Sequence, residues 1–234
     1  MGLHAGGPPV PARRFTMTNR PPGRDDPSIV DVLFDLRGAS LPADHGYALY
    51  SAISACNPAL HKAEWLGIHP VRGRRGIDGI LRLGPRACLG LRLPAAHIPD
   101  VLPLTGRELS VDGHRVYLSV PRVEPLAVAA SLDARLVAIK LTNLSKKLDG
   151  ALDKNSMRAG YLAELGRQLD AHGIARPAEL LGLQEIRVAG RRVLGYTVRV
   201  AGLEPEESLA LQRSGLGGKR RMGCGIFVPT RPRR

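Results

Sequence analysis

Between residues 28 and 230 one pattern is spelled twice, and it constrains the fold more than any other feature: strand, helix, two strands, helix, strand. The first copy opens on IVDVLFDLRG, where Val30, Val32 and Phe34 alternate with Asp31 and Asp35, the period of a strand with one buried face. DHGYALYSAISAC follows, with Leu49, Ala52, Ile53 and Cys56 at helical spacing and Asn57-Pro58 to stop it. Strands are expected at LGIHPVRG and twice within GILRLGPRACLGLRLP, then a short helix at AHIPDVLPLTG. A strand pair around the Asp-Gly turn of ELSVDGHRVYLSV closes the half.

The second copy runs through the strand ARLVAIKLT and the helix SMRAGYLAELGRQLDAHG, whose Met157, Tyr161, Leu165 and Leu169 recur every fourth residue. A hairpin turning at Ala189-Gly190, the helix EPEESLALQRSG and the strand GCGIFVPT complete it. This is the ferredoxin-like order. The expected fold class is therefore α+β, two tandem ferredoxin-like (βαββαβ) domains over residues 28–125 and 126–230. Residues 1–27, with six prolines and four glycines, are expected to form a disordered leader, and residues 231–234 a basic tail.

Thirty-four Lys and Arg against 21 Asp and Glu leave a formal charge of +13, which favours a polyanionic partner. Cys56, Cys88 and Cys224 are scattered and odd in number, a pattern of reduced thiols rather than of a disulfide scaffold or a zinc ribbon. No apolar run approaches the ~18 residues that span a bilayer, so a cytoplasmic location without a membrane partner is expected. His61 and His69 lack the third and fourth ligands that zinc needs; no metal or cofactor is expected.

The stretch GLGGKRRMGCGIFVP, residues 215–229, places five glycines around a basic knot. It is not a Walker loop, because Lys219 is followed by Arg220 rather than Ser or Thr. It is not a dinucleotide fingerprint, because the third glycine's place holds Arg220. Glycines 215, 217, 218, 223 and 225 permit backbone amides to turn toward phosphate oxygens, and Lys219, Arg220 and Arg221 add charge; the expectation is a cradle for a nucleic-acid backbone. A second basic cluster contains Arg72, Arg74 and Arg75, placed to meet phosphates of an RNA stem. Aromatic residues are only 4% of the chain, which argues against a stacking platform and for recognition through backbone and stem shape.

The spacing Gly215-Leu-Gly217, five residues, Gly223-Cys-Gly225, with a strand after it, resembles the glycine-rich loop of the RAMP superfamily of CRISPR-associated RNA-binding proteins. A strand followed by a helix with an early histidine is similar to the CRISPR repeat-processing endoribonucleases within that superfamily. The resemblance covers most of residues 28–230. It implies binding of precursor and mature guide RNA, and metal-independent cleavage within the repeats by 2′-hydroxyl attack, leaving a 2′,3′-cyclic phosphate and a 5′-hydroxyl. It also implies that His45 acts as general base or general acid, a role imidazole can fill near neutrality. Members of that family differ in the group that completes the site; Tyr47 and Tyr50 on the same helix and Lys62 beyond it are the candidates. The alternative is a non-catalytic RAMP-type subunit that holds guide RNA among other CRISPR effector subunits.

Overall fold

The computed structural model describes residues 28–139 and 154–231. The leader and all of the tail beyond Arg231 lie outside the described residues. The first half contains, in chain order, β1 (Ile29–Arg37), β2 (Ser40–Pro42), α1 (Gly46–Cys56), β3 (Gly67–Ile68), β4 (Arg74–Arg75), β5 (Ile80–Arg82) and β6 (Cys88–Pro94). It continues with α2 (Ile98–Val101), β7 (Glu108–Val111), β8 (His114–Leu118) and β9 (Arg122–Pro125). The second half contains β10 (Ser131–Val137), α3 (Lys154–Ala171), β11 (Ala178–Val188), β12 (Arg191–Ala201), α4 (Pro205–Ser214) and β13 (Phe227–Pro229).

β1 is the central strand of the first sheet, since its alternation puts Val30, Val32, Phe34 and Leu36 on a single buried face. One flank pairs antiparallel with β6, from Ile29–Pro94 to Asp35–Cys88, and β3 lies outside β6. The other flank is shared: β9 pairs with Val30 to Leu33, and β8 with Leu36 and Arg37. Leu49 and Ile53 of α1 pack in the same core as these strands.

The expected second helix of this half is only one α-helical turn between two 3-10 turns. Pro99 and Pro103 each remove a backbone donor there, so a longer ladder cannot form. A small third sheet, β2-β5-β4, was not legible in the pattern; it carries the Arg74-Arg75 hairpin.

The second sheet has the order β11-β12-β10-β13, all pairs antiparallel. Ala189 and Gly190 both have positive φ, 49° and 77°, the turn that matches strand twist in a two-residue hairpin. Tyr161, Leu165 and Leu169 of α3 share a core with Leu132, Val198 and Val200 of the sheet, and the Tyr161 hydroxyl donates to the Val137 carbonyl. Among the described residues no helix is long and apolar enough to cross a membrane.

The two halves are joined by a buried cation. Arg92 of β6 is 1% exposed; its Nε and Nη2 each lie 2.8 Å from an Asp31 carboxylate oxygen. Its Nη1 donates to the carbonyls of Gln212 and Phe227 at 2.9 and 2.7 Å.

Candidate functional site

The corner that starts α1 holds His45 as the N-cap, but by its backbone alone. The imidazole is 1% exposed. Its Nδ1 lies 3.0 Å from the Pro42 carbonyl, and the Val71 amide donates to Nε2 at 3.0 Å. Those partners define the tautomer: Nδ1 carries the proton and Nε2 its lone pair. Burial first, then the positive Arg135, pushes its pKa down to about 4, against the opposing pull of the Pro42 carbonyl. The side chain is wholly inside. The cavity beside it, lined by Arg135, Met222 and Cys224 among others, has about 20 Å³ of free space, room for one water and no nucleotide. The carboxylate of the neighbouring Asp44 accepts the Arg187 amide at 2.6 Å.

The glycine-rich loop wraps the same end of α1, and its glycines are there for backbone packing. A Cβ on Gly215 would stand 2.2 Å from the Gly225 carbonyl, and one on Gly225 would stand 2.1 Å from that of Leu216. The two arms can close only without side chains. A phosphate cradle built from glycine amides is therefore corrected. Gly215, Gly218, Gly223 and Gly225 donate to the carbonyls of Leu211, Ala138, Arg220 and Leu136, and Gly217 donates to the Gln168 side chain at 2.7 Å. What the loop offers outward is side chains, and not all three basic ones. Lys219 is exposed, with φ 65°. Arg220 turns inward, donating to the Ser214 carbonyl at 3.0 Å; burial, and then Arg92, lower its pKa. Its place among the RNA contacts is corrected for that reason.

Arg221 reaches across to α1. Its guanidinium carbon is 5.3 Å from the centre of the Tyr50 ring, and Nη1 lies 3.3 Å from the Tyr50 hydroxyl. The Lys62 amide donates to that hydroxyl at 3.3 Å, while His61 Nδ1 stands 3.5 Å from it with the two rings stacked. Tyr50 and Arg221, scattered in sequence, thus meet, and Lys62 joins them through its backbone amide alone among the hydrogen bonds of the described residues. Tyr47 is exposed, and among the described residues no hydrogen bond ties it to this group. His61, considered in the sequence only as a zinc ligand, is exposed and stacks on Tyr50. The signal that could have marked it is Asn57-Pro58, which ends α1 and folds the following residues back along it.

A basic groove lies on the adjoining face. A cavity of about 450 Å³ between the halves is lined by Arg72, Arg75 and Arg135 together with Ala43 and Thr197. A second, with Arg74, Arg82, Arg86 and Arg231, and a third, with Arg86 and Arg231, share Arg72 with the first. Arg72, Arg74 and Arg75 are all exposed. Arg135 lines both the 450 Å³ cavity and the small one at His45, so the groove runs up to that imidazole with only the segment around Val71 between. His69 is paired with Asp31 at 3.0 Å. Among the described residues no cluster of His, Cys, Asp and Glu is arranged to hold a metal.

Residues 30–232 match the protein family described as Cas6 Crispr. The CRISPR-associated endonuclease Cas6 of Myxococcus xanthus (strain DK1622) is 36% identical over 200 residues, which cover 86% of this chain and 81% of that protein. Among solved structures, a CRISPR-associated protein Cas6 superposes with a TM-score of 0.61 at 18% identity, over 87% of this chain and 100% of that one. A Cas6-related protein of Pyrococcus furiosus gives 0.57 at 14% identity, over 85% and 97%. A RAMP protein described as binding different RNA substrates gives 0.54 at 14%, over 87% and 99%. At these identities the structural likeness concerns the fold.

Proposed function

The chain belongs to the Cas6 family, and we propose that it binds CRISPR precursor RNA and cuts it within the repeats to release guide RNAs. The Myxococcus relative is described as an endonuclease, and the observation that carries the reading here is the groove. It is a continuous run of arginines, 72, 74, 75 and 135, on a surface of net positive charge, ending at a histidine of fixed tautomer. Arginine suits phosphate oxygens because its fork donates two parallel hydrogen bonds. We read the two halves, residues 28–125 and 126–230, as ferredoxin-like units. In support, both sheets run last strand, first, third, second: β9-β1-β6-β3 and β13-β10-β12-β11.

The cleavage proposed is metal-independent. The ribose 2′-oxygen bonds to the adjacent phosphorus, the bond to the 5′-oxygen breaks, and the products are a 2′,3′-cyclic phosphate and a 5′-hydroxyl. His45 takes the 2′-hydroxyl proton on Nε2, with Nδ1–H held by the Pro42 carbonyl. For this, RNA entering along Arg72 and Arg75 displaces the Val71 amide from Nε2. A phosphate drawn in beside the ring raises its affinity for a proton. Arg135 and Arg75 stand where they compensate charge developing on phosphorus.

The closure of His45 favours one other reading, a subunit that holds repeat RNA without cutting it. Incubation with repeat RNA in EDTA, followed by mapping of product ends, separates the two: cyclic-phosphate ends support cleavage, and intact bound RNA supports the holding role.

A further inference from the structure

The cavity between the halves is walled in a way that phosphate binding alone does not explain. Pro70, Val71, Leu81, Ile226 and Val228 make much of its lining apolar, and among its arginines stands a carboxylate, Asp133. An acid repels RNA phosphates and an apolar wall offers them nothing. The free space of about 450 Å³ falls in the range of pockets that enclose small ligands, about 300–1,000 Å³. We propose that this cavity receives one unpaired guanine of the repeat, with Asp133 and Thr197 accepting from its Watson–Crick edge and Arg72 donating to its O6 and N7. The inference rests on the RNA-binding part of the reading above.

Asp133 on β10 pairs with Arg199 on β12 across the sheet of the second half, and the fork holds both carboxylate oxygens, at 2.7 and 3.1 Å. Burial alone would raise the carboxyl; Arg199, and then Thr230, hold it below its usual value, so it is ionised and only accepts. Of its roughly four acceptor positions, Arg199 takes two and Thr230 a third, which leaves one for a ligand. Thr197, two residues before Arg199 on the same face, donates its hydroxyl proton to the Arg135 carbonyl at 2.7 Å. Toward the cavity it too can only accept. The first half contributes Arg72 and Arg75 to the lining, and a guanidinium only donates. Arg72 is near enough to Asp133 for each charge to act on the other.

Acceptors from one half and donors from the other select one base. Guanine alone carries adjacent donors, N1–H and N2–H, on one edge and adjacent acceptors, O6 and N7, on the next. Adenine would set its N1 lone pair against Asp133 and Thr197, and its N6 amino group against Arg72. The ring N–H of uracil lies between two carbonyls, and cytosine has a single donor group beside two acceptors. The guanine is unpaired because protein occupies its pairing edge, so the contact adds base reading to recognition through backbone and stem shape. Arg135 borders both this cavity and the one at His45, which puts the guanine in the stretch of repeat around the cut.

The test measures affinity for repeat RNAs with a 2′-deoxyribose at the cleavage site, so that binding is read without cutting, and with each unpaired guanine replaced in turn by adenine. Wild type is expected to lose about 5–150-fold at one position and little at the others. Asp133→Ala is expected to narrow that preference to within a few-fold. Asp133→Asn keeps the size, but Arg199 claims its amide oxygen and the guanine meets a donor, so the preference is expected to fall in the same way. A merely repulsive carboxylate behaves otherwise: its removal tightens every RNA alike and leaves the preference intact. That outcome, or a wild type indifferent at every unpaired guanine, would overturn the inference. A wild type that shows the guanine preference but does not cut the all-ribose RNA supports the pocket and removes the cleavage reading. One that does not bind repeat RNA removes both.

Discussion

Nη1 of Arg92, on the sheet of the first half, lies 2.7 Å from the carbonyl oxygen of Phe227, on the last strand of the second. A side chain only 1% exposed therefore holds two sheets in register, and its charge is balanced by the two oxygens of Asp31. Burial alone would raise the Asp31 carboxyl; Arg92 and then His69 outweigh it and hold it well below the usual carboxylate range. Arg92→Met leaves that carboxylate buried beside two orphaned carbonyls. The expected cost is about 3–5 kcal/mol, read as a lower urea midpoint, and Arg92→Lys should not restore it because an ammonium cannot reproduce the fork.

His45 predicts a pH dependence of stability. Its folded pKa of about 4 lies below the ordinary 6.5, so between those values the unfolded chain binds the extra proton and stability rises with pH. The contribution is complete above about pH 6.5, is lost as pH falls toward 4, and is flat below. Its size is on the order of 3 kcal/mol. His69 is shifted in the same direction, so the measurement is the difference between wild type and His45→Gln: unfolding free energies from pH 7 to 4 should converge for the pair as pH falls. Parallel curves would mean that His45 is not held neutral.

Gly46 tests how tightly the loop sits on α1. An alanine normally stabilises a helix by about 0.5–1 kcal/mol relative to glycine. Here the new Cβ would stand 2.4 Å from the Met222 carbonyl oxygen, a backbone atom that cannot rotate away. Gly46→Ala is expected to destabilise by about 1–3 kcal/mol and to weaken RNA binding together with it. A more stable variant would mean that helix and loop are not docked.

Charge at the two basic sites should separate by direction. Changing Arg72, Arg74 and Arg75 to Ala should lower the slope of log affinity against log salt by up to about two, at ~0.7 per phosphate contact for single-stranded RNA. Lys219 and Arg221 should each contribute to that slope, and Arg220, which points to Ser214, should contribute nothing. A slope that drops with Arg220→Ala would place that side chain outside.

Much of the fold was legible because its signals are local. The alternation of Val30, Val32 and Phe34 gave β1, the four-residue recurrence through Leu169 gave α3, and two turn dipeptides gave the hairpins. What was not legible depends on contacts across the chain. Five glycines beside three basic residues read as a phosphate cradle, since nothing local says that Gly215 and Gly225 are needed against each other. Arg220 and Arg221 are neighbours in sequence, yet one is turned into the protein and the other onto Tyr50. His45 stood out by position at a helix start, but its burial comes from Val71 and Arg135, which local spacing cannot see. The stack of His61 on Tyr50 was not legible because the two lie eleven residues apart.

The most direct measurement of the central claim is cleavage of repeat RNA by wild type and His45→Ala in EDTA, with product ends mapped and affinity measured in parallel. The account predicts a 2′,3′-cyclic phosphate and a 5′-hydroxyl from wild type, and loss of cutting by His45→Ala with affinity kept within a few-fold. Cutting that requires magnesium, or that continues undiminished in His45→Ala, would contradict it.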